Sequence, residues 1–375
     1  MPPVSAHRST RTTLRRTVAV AAALPVLALT ATACGYGSDS SDDKEKVAAE
    51  GKKVGGLDEI KVGYFPNVTH ATALAGLQEG IFQKELGGTK IKTQTFNAGP
   101  SAIEALNAKS VDVTWIGPSP AINGYTKSKG QNLRIIAGSG SGGVSLVVNP
   151  KKVKSLDDLK GKRIATPQLG NTQDVALLNY LSENGLEVDA NTGKGDVTVI
   201  RQDNKEIPAS LESGSLDGAW VPEPTASKLV AGGGKVLLDE KKLWKDGKFV
   251  ITNLIVSQKF LKENPKAVEA LLRGTVKTNA WIAEKPEDAK AAVNARLKKD
   301  SGQALPAEVL DPAFKNVETL NDPLASTLRD EADHAVKAGL LEDPLLDGIY
   351  DLRPLNKVLK AEGEPAVDDA GLGAK

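Results

Sequence analysis

The chain is poor in the side chains that most catalytic and metal sites need. It has one cysteine, Cys34, and three histidines, of which His7 lies near the amino terminus. Beyond residue 34 it therefore has neither disulfides nor thiolate ligands, and His70 and His334 cannot build a histidine-rich metal site. The sequence contains no HExxH, GxSxG or GKS/T motif. We expect no metal, no cofactor and no enzymatic activity; an enzyme would depend on His70 as its base.

Neither sign of charge dominates, and aromatic residues are scarce. Lysine and arginine number 48 against 47 aspartates and glutamates, the formal net charge is +1, and aromatics make up 4%. The chain therefore lacks the basic stripe, and the alternation of basic and aromatic residues, with which proteins bind nucleic acids. We expect no nucleic-acid partner.

The first 33 residues have the features of an export signal. Basic residues between His7 and Arg16 precede an apolar stretch at residues 17–30 that is too short to span a bilayer comfortably. Small residues then precede Cys34, as in a bacterial lipobox, whose cysteine becomes the lipidated first residue. Arg15 and Arg16 leave twin-arginine export open beside general export. We predict a lipid on Cys34 and a location on the outer face of the cell membrane; ordinary cleavage leaving a free thiol is the alternative.

Composition divides the rest of the chain into a tether and a body. Residues 34–57 are rich in glycine, serine and charged residues, so they bury too little surface to fold and are predicted to form a flexible tether. The body of roughly 320 residues exceeds what one core usually supports, which favours two domains.

One segment of the body occurs twice, at an offset of 105 residues. The matching positions are Leu106, Ser110, Asp112, Trp115, Ile116 and Ala121 in the first copy and Leu211, Ser215, Asp217, Trp220, Val221 and Ala226 in the second. Each copy predicts a helix end, a turn, a strand led by aspartate, and a tryptophan near the end of that strand. We expect two lobes of similar topology. Because ligands bind outside the carboxyl ends of strands in open α/β sheets, both tryptophans are candidates for a cleft; core packing is the alternative.

Strand and helix patterns alternate from Ile60 to Val256, which predicts an α/β fold with parallel strand pairs. The apolar runs at residues 144–148 and 249–256 are predicted to be two crossing hinge strands. They divide the body into lobe 1, residues 58–146 and 254–375, and lobe 2, residues 147–253. The region after residue 257 is strongly helical and is predicted to pack on lobe 1.

Three predicted helices begin directly after strand ends, at Asn67, at Ser119 and at Asn171-Thr172. The free N–H groups and the positive end of the helix dipole at such points attract anions. Small polar side chains beside them would fix the orientation of a ligand. Simple capping of the helix is the alternative for each position.

Five motifs of the body, taken together, are typical of one protein family. They are Val62 to His70, Phe96 to Pro100, Asp112 to Ala121, Thr166 to Asp174 and Ala219 to Pro224. With them the chain resembles the solute-binding lipoproteins of ABC importers in the aliphatic sulfonate, taurine and nitrate group, which are also similar to thiamine-pyrimidine binders. The resemblance covers about residues 58–360. It implies a monomer with a two-lobed periplasmic-binding-protein type II fold, which closes on a small solute and docks to a permease with its ATPase.

The resemblance also implies a ligand site between the lobes. Its residues would be Tyr64, Asn67, His70, Pro118, Ser119, Ser141 and Gly142 from lobe 1, and Gln168, Asn171, Thr172, Gln173, Trp220 and Glu223 from lobe 2. Trp220 would form a wall and Glu223 an acceptor, whereas Trp115 is expected to pack beneath a helix. Glu223 would favour an aminosulfonate or a protonated base over nitrate, unless it only caps the helix after Pro222.

We therefore expect a binding protein for an organosulfonate-like solute such as an aliphatic sulfonate or taurine. A thiamine-pyrimidine precursor and nitrate are the alternative solutes, and nitrate is disfavoured because no lysine or arginine falls at a motif position. A lipoprotein that senses a ligand or binds a partner without transport is the alternative of another class. Relatives that synthesise the pyrimidine need a cysteine-rich site, which a chain with Cys34 alone does not have.

Overall fold

The computed structural model describes residues 51–375, and its first part alternates strands and helices around one sheet. The elements are β1 (Glu59–Tyr64), α1 (Ala71–Gln78), α2 (Ile81–Leu86), β2 (Lys90–Thr95), α3 (Gly99–Asn107), β3 (Val113–Ile116), α4 (Pro118–Lys127) and β4 (Leu133–Gly142). β1 pairs in parallel with β2 and β3. The sequence predicts one helix over residues 67–86, but the chain forms two, because Gly80 adopts a left-handed φ of 68° between them.

A second sheet follows directly. Its elements are β5 (Val144–Val148), β6 (Arg163–Thr166), α5 (Thr172–Glu183), β7 (Thr198–Arg201), α6 (Ile207–Glu212), β8 (Gly218–Pro222), α7 (Thr225–Ala231) and β9 (Lys235–Asp239). The strand order is β7-β6-β8-β5-β9. β6 is parallel to β7 and β8, whereas β5 is antiparallel to both of its neighbours.

The chain then returns to the first sheet and ends in a helical region. The elements are β10 (Val250–Ser257), α8 (Gln258–Glu263), α9 (Pro265–Glu284), α10 (Pro286–Ser301), α11 (Ala307–Asn316), β11 (Val317–Thr319), α12 (Leu328–Lys337) and α13 (Arg353–Glu362). β10 lies between β3 and β4, antiparallel to both, in a sheet of order β11-β4-β10-β3-β1-β2. We call the first sheet with its helices the first lobe, and the second sheet with its helices the second lobe.

The chain crosses between the sheets twice. The first crossing is at Gly142 and Gly143, whose φ angles of 74° and 70° favour glycine. The second covers residues 240–249, between β9 and β10. The two-lobed α/β fold is therefore confirmed. The chain passes from one sheet to the other a few residues before the lobe boundaries predicted at 146/147 and 253/254. The reason is that β5 pairs wholly within the second sheet and β10 wholly within the first.

Both repeated tryptophans lie in cores. Trp115 is 0% exposed and packs on Phe82 in the first lobe, with ring centroids 5.3 Å apart. Trp220 is also 0% exposed and packs on Tyr180 in the second lobe at 5.4 Å. Large buried aromatic rings contribute strongly to each core. The helical region packs mainly on the first lobe, as predicted, but α11 also contacts α7 and α12 contacts α5, so it bridges both lobes.

The repeated aspartate has the same structural role in both copies of the segment. Asp112 Oδ2 accepts a hydrogen bond from the Lys61 backbone N–H at 2.9 Å, and the Asp112 N–H donates to the Lys61 carbonyl at 2.8 Å. Asp217 makes the same pair of bonds with Arg163, also at 2.9 and 2.8 Å. In each lobe the aspartate thus joins the starts of two parallel strands, β1 and β3 or β6 and β8. The repeat marks topologically equivalent junctions.

The folded body includes residues that the sequence assigns to the tether. The Val54 N–H donates to Thr89 Oγ1 at 3.0 Å, and that hydroxyl donates to the Leu57 carbonyl at 2.9 Å. Residues 51–57 are therefore held against the start of β2, although the tether is predicted to extend to residue 57. The predicted signal peptide, the lipid on Cys34 and the first part of the tether lie outside the described residues. Between residues 51 and 375, none of the helices has the length and apolar character to cross a membrane.

Candidate functional site

A small cavity lies between the lobes at the carboxyl ends of their parallel strands. Its lining comprises Phe65, Asn67, Thr69, His70, Asn97, Gly117 and Ile251 from the first lobe and Asn171, Thr172, Gln173, Asn204 and Pro222 from the second. Apart from Ile251 on β10, these residues follow or end the strands β1, β2, β3, β6, β7 and β8. Open α/β sheets bind ligands at this edge, so the topology alone makes the cavity the candidate site.

The lobes are closed around this cavity. Its free volume is about 20 Å³, on the order of one water molecule. Asn171 Oδ1 accepts a hydrogen bond from the Gly99 N–H at 3.0 Å, and the Glu223 carbonyl accepts one from the Val68 N–H at 3.0 Å. Each bond joins the two lobes directly. A bound solute would therefore be enclosed on both sides.

The polar lining is uncharged. It consists of four asparagines, two threonines, one glutamine and one histidine, and the lining includes no lysine, arginine, aspartate or glutamate. Burying an ion in such a place requires compensation by hydrogen bonds and dipoles rather than by a counter-charge.

Helix N-termini supply that compensation. Asn171 is the N-cap of α5 and Gly117 the N-cap of α4, while the 3-10 turn Val68–His70 leads directly into α1. All three starts lie at the cavity wall. The positive ends of the two longer helices, α4 and α5, favour an anion between the lobes.

His70 is a neutral hydrogen-bond donor at this wall. Its ring is 2% exposed and stacks on Phe65 with centroids 4.5 Å apart. Burial lowers the pKa of His70 to about 3, so the imidazole is uncharged at neutral pH. Nδ1 accepts from the Phe65 N–H at 3.4 Å. The proton therefore resides on Nε2, which is left to donate.

Two buried polar atoms of the lining have no partner among residues 51–375. They are Thr172 Oγ1 and Asn204 Oδ1, on residues that are 2% and 8% exposed. Buried polar atoms are nearly always hydrogen-bonded, so both atoms are available to a ligand. Asn171 and Gln173 instead bond to each other, from Nδ2 to Oε1 at 2.5 Å.

Five of the thirteen residues predicted from the sequence line the cavity: Asn67, His70, Asn171, Thr172 and Gln173. The other eight lie outside the cavity, and contacts within the protein account for the position of each.

Tyr64, Ser119 and Gln168 bond to neighbouring elements. The Tyr64 hydroxyl donates to Asp300 Oδ2 at 2.8 Å and accepts from Arg296, both on α10. Ser119 Oγ donates to Glu331 Oε2 at 3.4 Å, and its neighbour Pro118 occupies the first turn of α4. Gln168 Oε1 accepts from Ser101 Oγ at 3.5 Å across the lobes, outside the cavity.

Ser141 and Gly142 belong to the sheet and the crossing. Ser141 is paired with Val250 of β10, and Gly142 makes the turn between the sheets. Neither of these two residues lines the cavity.

Trp220 and Glu223 do not form the wall and acceptor that the sequence predicts. Trp220 lies inside β8, covered by α5, and donates from Nε1 to Glu240 Oε2 at 2.7 Å. Glu223 accepts from the Ser227 N–H and hydroxyl, each at 3.0 Å, and from Asn316 Nδ2 at 2.8 Å. Glu223 thus caps the first turn of α7, the alternative left open by the sequence, and burial raises its pKa.

Sequence reasoning missed seven lining residues: Phe65, Thr69, Asn97, Gly117, Asn204, Pro222 and Ile251. Most stand next to a strand end that the sequence does predict, so counting onward from each strand would have found them. Between residues 51 and 375, no group of three or more histidine, cysteine, aspartate or glutamate residues is arranged to hold a metal ion.

Comparison with known proteins gives one family and several related binding proteins. A model of the NMT1-like family matches residues 55–297. The chain is similar to the taurine-binding periplasmic protein of Escherichia coli (strain K12), 27% identical over 198 residues that cover 53% of this chain and 59% of that one.

Two solved structures share the fold. The alkanesulfonate-binding protein SsuA of Xanthomonas axonopodis pv. citri, bound to MOPS, aligns with a TM-score of 0.62 at 22% identity, covering 79% of this chain and 96% of that one. The periplasmic nitrate-binding protein NrtA of Synechocystis PCC 6803 aligns with a TM-score of 0.62 at 17% identity, covering 84% and 87%. The periplasmic-binding-protein fold expected from the sequence is confirmed.

Proposed function

This chain belongs to the NMT1-like family, and we propose that it is the extracytoplasmic solute-binding component of an ABC importer. It captures a small organosulfonate by closing its two lobes and delivers it to the permease. The observation that carries the proposal is the closed cavity, in which uncharged donors and three helix starts converge. A sulfonate is a permanent monoanion with three acceptor oxygens, which suits many neutral donors and needs no buried cation.

The space beside the cavity supports a solute with a tail. A groove of about 400 Å³ adjoins the cavity and shares Asn67, Asn97 and Asn204 with it. Apolar groups, including Phe96 and Leu305, line the groove together with polar ones. An organosulfonate would place its head among the helix N-termini, where the cavity must widen beyond its present volume of about 20 Å³, and its tail toward the groove. Nitrate has no tail to place there.

The unpartnered acceptor in the cavity favours a donor on the solute. Glu223 cannot play this role, because its carboxylate is used by Ser227 and Asn316. Asn204 Oδ1 is free for it. An ammonium group two carbons from the sulfonate, as in taurine, would satisfy that atom. Asn204 is therefore the cavity residue that would favour an aminosulfonate, beside the carboxylates of Asp203 and Asp300 in the groove.

A matched pair of ligands tests the proposal with residues 35–375 in a buffer that contains no sulfonate. Taurine and propane-1-sulfonate have the same length and differ in the terminal ammonium or methyl group. We expect both to stabilise the protein in a thermal-shift assay, by about 2.7 kcal/mol at a hundredfold excess over the Kd, and taurine to bind more tightly. Nitrate and an aminopyrimidine are included as alternatives.

Variants separate head-group binding from tail preference. In Asn204→Ala the preference for taurine should decrease while both sulfonates still bind, whereas Asn191→Ala, at an exposed position, should change neither. If only the aminopyrimidine stabilised the protein, the solute would be a pyrimidine rather than a sulfonate. No stabilisation by any of the four compounds would contradict the proposed function.

A further inference from the structure

Two buried carboxyl groups lie near the place where the chain crosses from the second lobe back to the first. Glu240 is the first residue after β9, at the start of the crossing. Glu331 lies on α12, which contacts α4 of the first lobe and α5 of the second. Neither residue belongs to the cavity described above. Their negative charges are close enough that Glu240 raises the pKa of Glu331.

Each carboxyl is enclosed and bonded to a different lobe. Glu240 is 2% and Glu331 3% exposed. Glu240 Oε2 accepts from Trp220 Nε1 at 2.7 Å, which ties it to the second sheet. Glu331 Oε2 accepts from Ser119 Oγ at 3.4 Å, which ties it to the start of α4. Glu331 Oε1 has no partner among residues 51–375.

The groups facing Glu331 do not offset its charge. Asp330 on its own helix adds a second negative charge. Tyr350, which precedes α13, has a buried hydroxyl without a partner among residues 51–375, and its pKa is raised by burial and by Asp322 and Glu331. On the side of α5, Glu183 is engaged by Lys337 at 3.0 Å.

The groups facing Glu240 do not offset its charge either. Asp239 precedes it in the chain and adds negative charge, whereas Trp220 donates a hydrogen bond to it. His334 packs against Trp244 with ring centroids 5.2 Å apart, and burial lowers its pKa, which keeps the ring neutral. Within residues 51–375, neither carboxyl forms an ion pair with a lysine or arginine.

Two buried carboxylates without a cation cannot both remain ionised, because desolvation and mutual repulsion oppose the second charge. Burial raises the pKa of Glu331 well above its usual range and that of Glu240 to about 7. Around neutral pH, Glu331 is therefore protonated and Glu240 takes up or releases a proton.

We propose that Glu240 and Glu331 form a proton-binding site at the second crossing, and that proton uptake there stabilises the closed arrangement of the lobes. Because the two carboxyls are held by different lobes, opening separates them and lets water reach them, so both ionise at lower cost. Closure then takes up protons. The link to solute affinity rests on the proposed function, whereas the proton site does not.

The direction of the pH effect follows from the raised pKa values. An unfolded glutamate has its ordinary pKa of about 4.3. The stabilisation is fully present below that pH, falls as the pH rises above it, and is lost once the pH passes the folded value of about 7 for Glu240. The loss through Glu331 begins at the same pH and continues to higher pH.

Thermal unfolding of the ligand-free protein between pH 5 and 9 tests the proton site. We expect the Tm of the unmodified protein to fall between pH 5 and 7 and to go on falling less steeply above 7. Glu240→Gln, a neutral isostere, should reduce the fall below pH 7, and Glu331→Gln should remove the fall that continues above 7. The exposed control Glu342→Gln should follow the unmodified profile. Profiles of both buried variants that match the unmodified protein would overturn the site, and since the two variants are independent, failure of one to fold leaves the other decisive.

Calorimetry tests the coupling to closure. Taurine is titrated at pH 7 in phosphate and in imidazole, whose ionisation enthalpies differ, and we expect uptake of up to one proton per taurine bound. The Kd should rise with pH by up to tenfold per unit for each carboxyl, up to about pH 7 for Glu240 and beyond it for Glu331, and Glu240→Gln should reduce both effects. Taurine binding without proton uptake would refute the coupling and leave the proposed function standing. If none of the solutes in the binding panel bound, the proposed function and the coupling would both fall, while the ligand-free profiles would still decide the proton site.

Discussion

Replacing Gly117 with alanine is expected to weaken solute binding roughly 10- to 100-fold without unfolding the protein. A Cβ at this position would lie 2.3 Å from Thr172 Oγ1 and 3.3 Å from Thr172 Cβ, across the closed cleft. Thr172 is β-branched and begins α5, so its side chain has few rotamers with which to avoid the contact. The second lobe must therefore move away. Overpacking of this kind costs about 1–3 kcal/mol, which corresponds to that loss of affinity.

The stability of the protein should not change much, because Gly117 has an ordinary φ of −70° that alanine adopts freely. Binding of taurine and propane-1-sulfonate is measured by calorimetry and stability by thermal unfolding. Gly232→Ala is the matched control: its Cβ would meet its nearest atoms at 3.4 and 3.5 Å, ordinary contact distances, at the end of α7.

A second substitution identifies the cause of the loss. Thr172→Ala removes the hydroxyl that the new methyl group would strike. Gly117→Ala should then weaken binding much less in the Thr172→Ala background than in the unmodified protein. Unchanged affinity of Gly117→Ala would mean that the solute-bound lobes do not approach each other as closely as they do here.

The sequence predicts the elements that surround this cleft because the positions of strands and helices along the chain depend on local patterns. The aspartates at 112 and 217 each lead a short apolar strand, and both prove to join equivalent strand starts. The helix starts at Asn67 and Asn171 also follow from local signals, since small polar residues stand directly after strands. Positions tied to strand ends were therefore predictable.

The direction in which a side chain points cannot be predicted from these local patterns. Trp220 lies in a motif at a strand end, yet it faces the core, because a neighbouring helix covers that face of β8. Tyr64 is likewise used by Arg296, which is 232 residues away in sequence. Gly117 offers no functional group at all, and its importance arises only from the Thr172 side chain that packs against it. The roles of these residues therefore depend on contacts between segments that are distant in sequence.

The site also depends on the buried carboxylate of Asp174, for which the sequence predicts no role of its own. Asp174 is 0% exposed and accepts from Thr166 Oγ1 at 2.7 Å, from the Gly170 N–H at 3.0 Å and from Arg201 Nε at 2.9 Å. It thus joins the ends of β6 and β7 to the loop before α5. That loop carries Asn171 into the cavity.

Asp174→Ala is expected to lower the free energy of unfolding by about 3–5 kcal/mol, the cost of removing one partner from a buried ion pair. Arg201 would keep its bond to the Ala190 carbonyl at 2.8 Å, and its charge would lose the carboxylate to which it is bonded. Urea unfolding measures the loss. Glu263→Ala, which removes an exposed pair with Lys259 at 3.9 Å, should change stability by no more than about 0.5 kcal/mol.

The same substitution should weaken solute binding under conditions in which the protein is still folded, because the Gly170 N–H loses its acceptor and the start of α5 is no longer fixed. Asp174→Asn distinguishes the two contributions. It retains an acceptor for the loop but not the charge that balances Arg201, so it should recover more of the affinity than of the stability. Equal recovery of both would mean that the ion pair, rather than the hydrogen bond to the loop, positions Asn171 and Thr172 at the cavity.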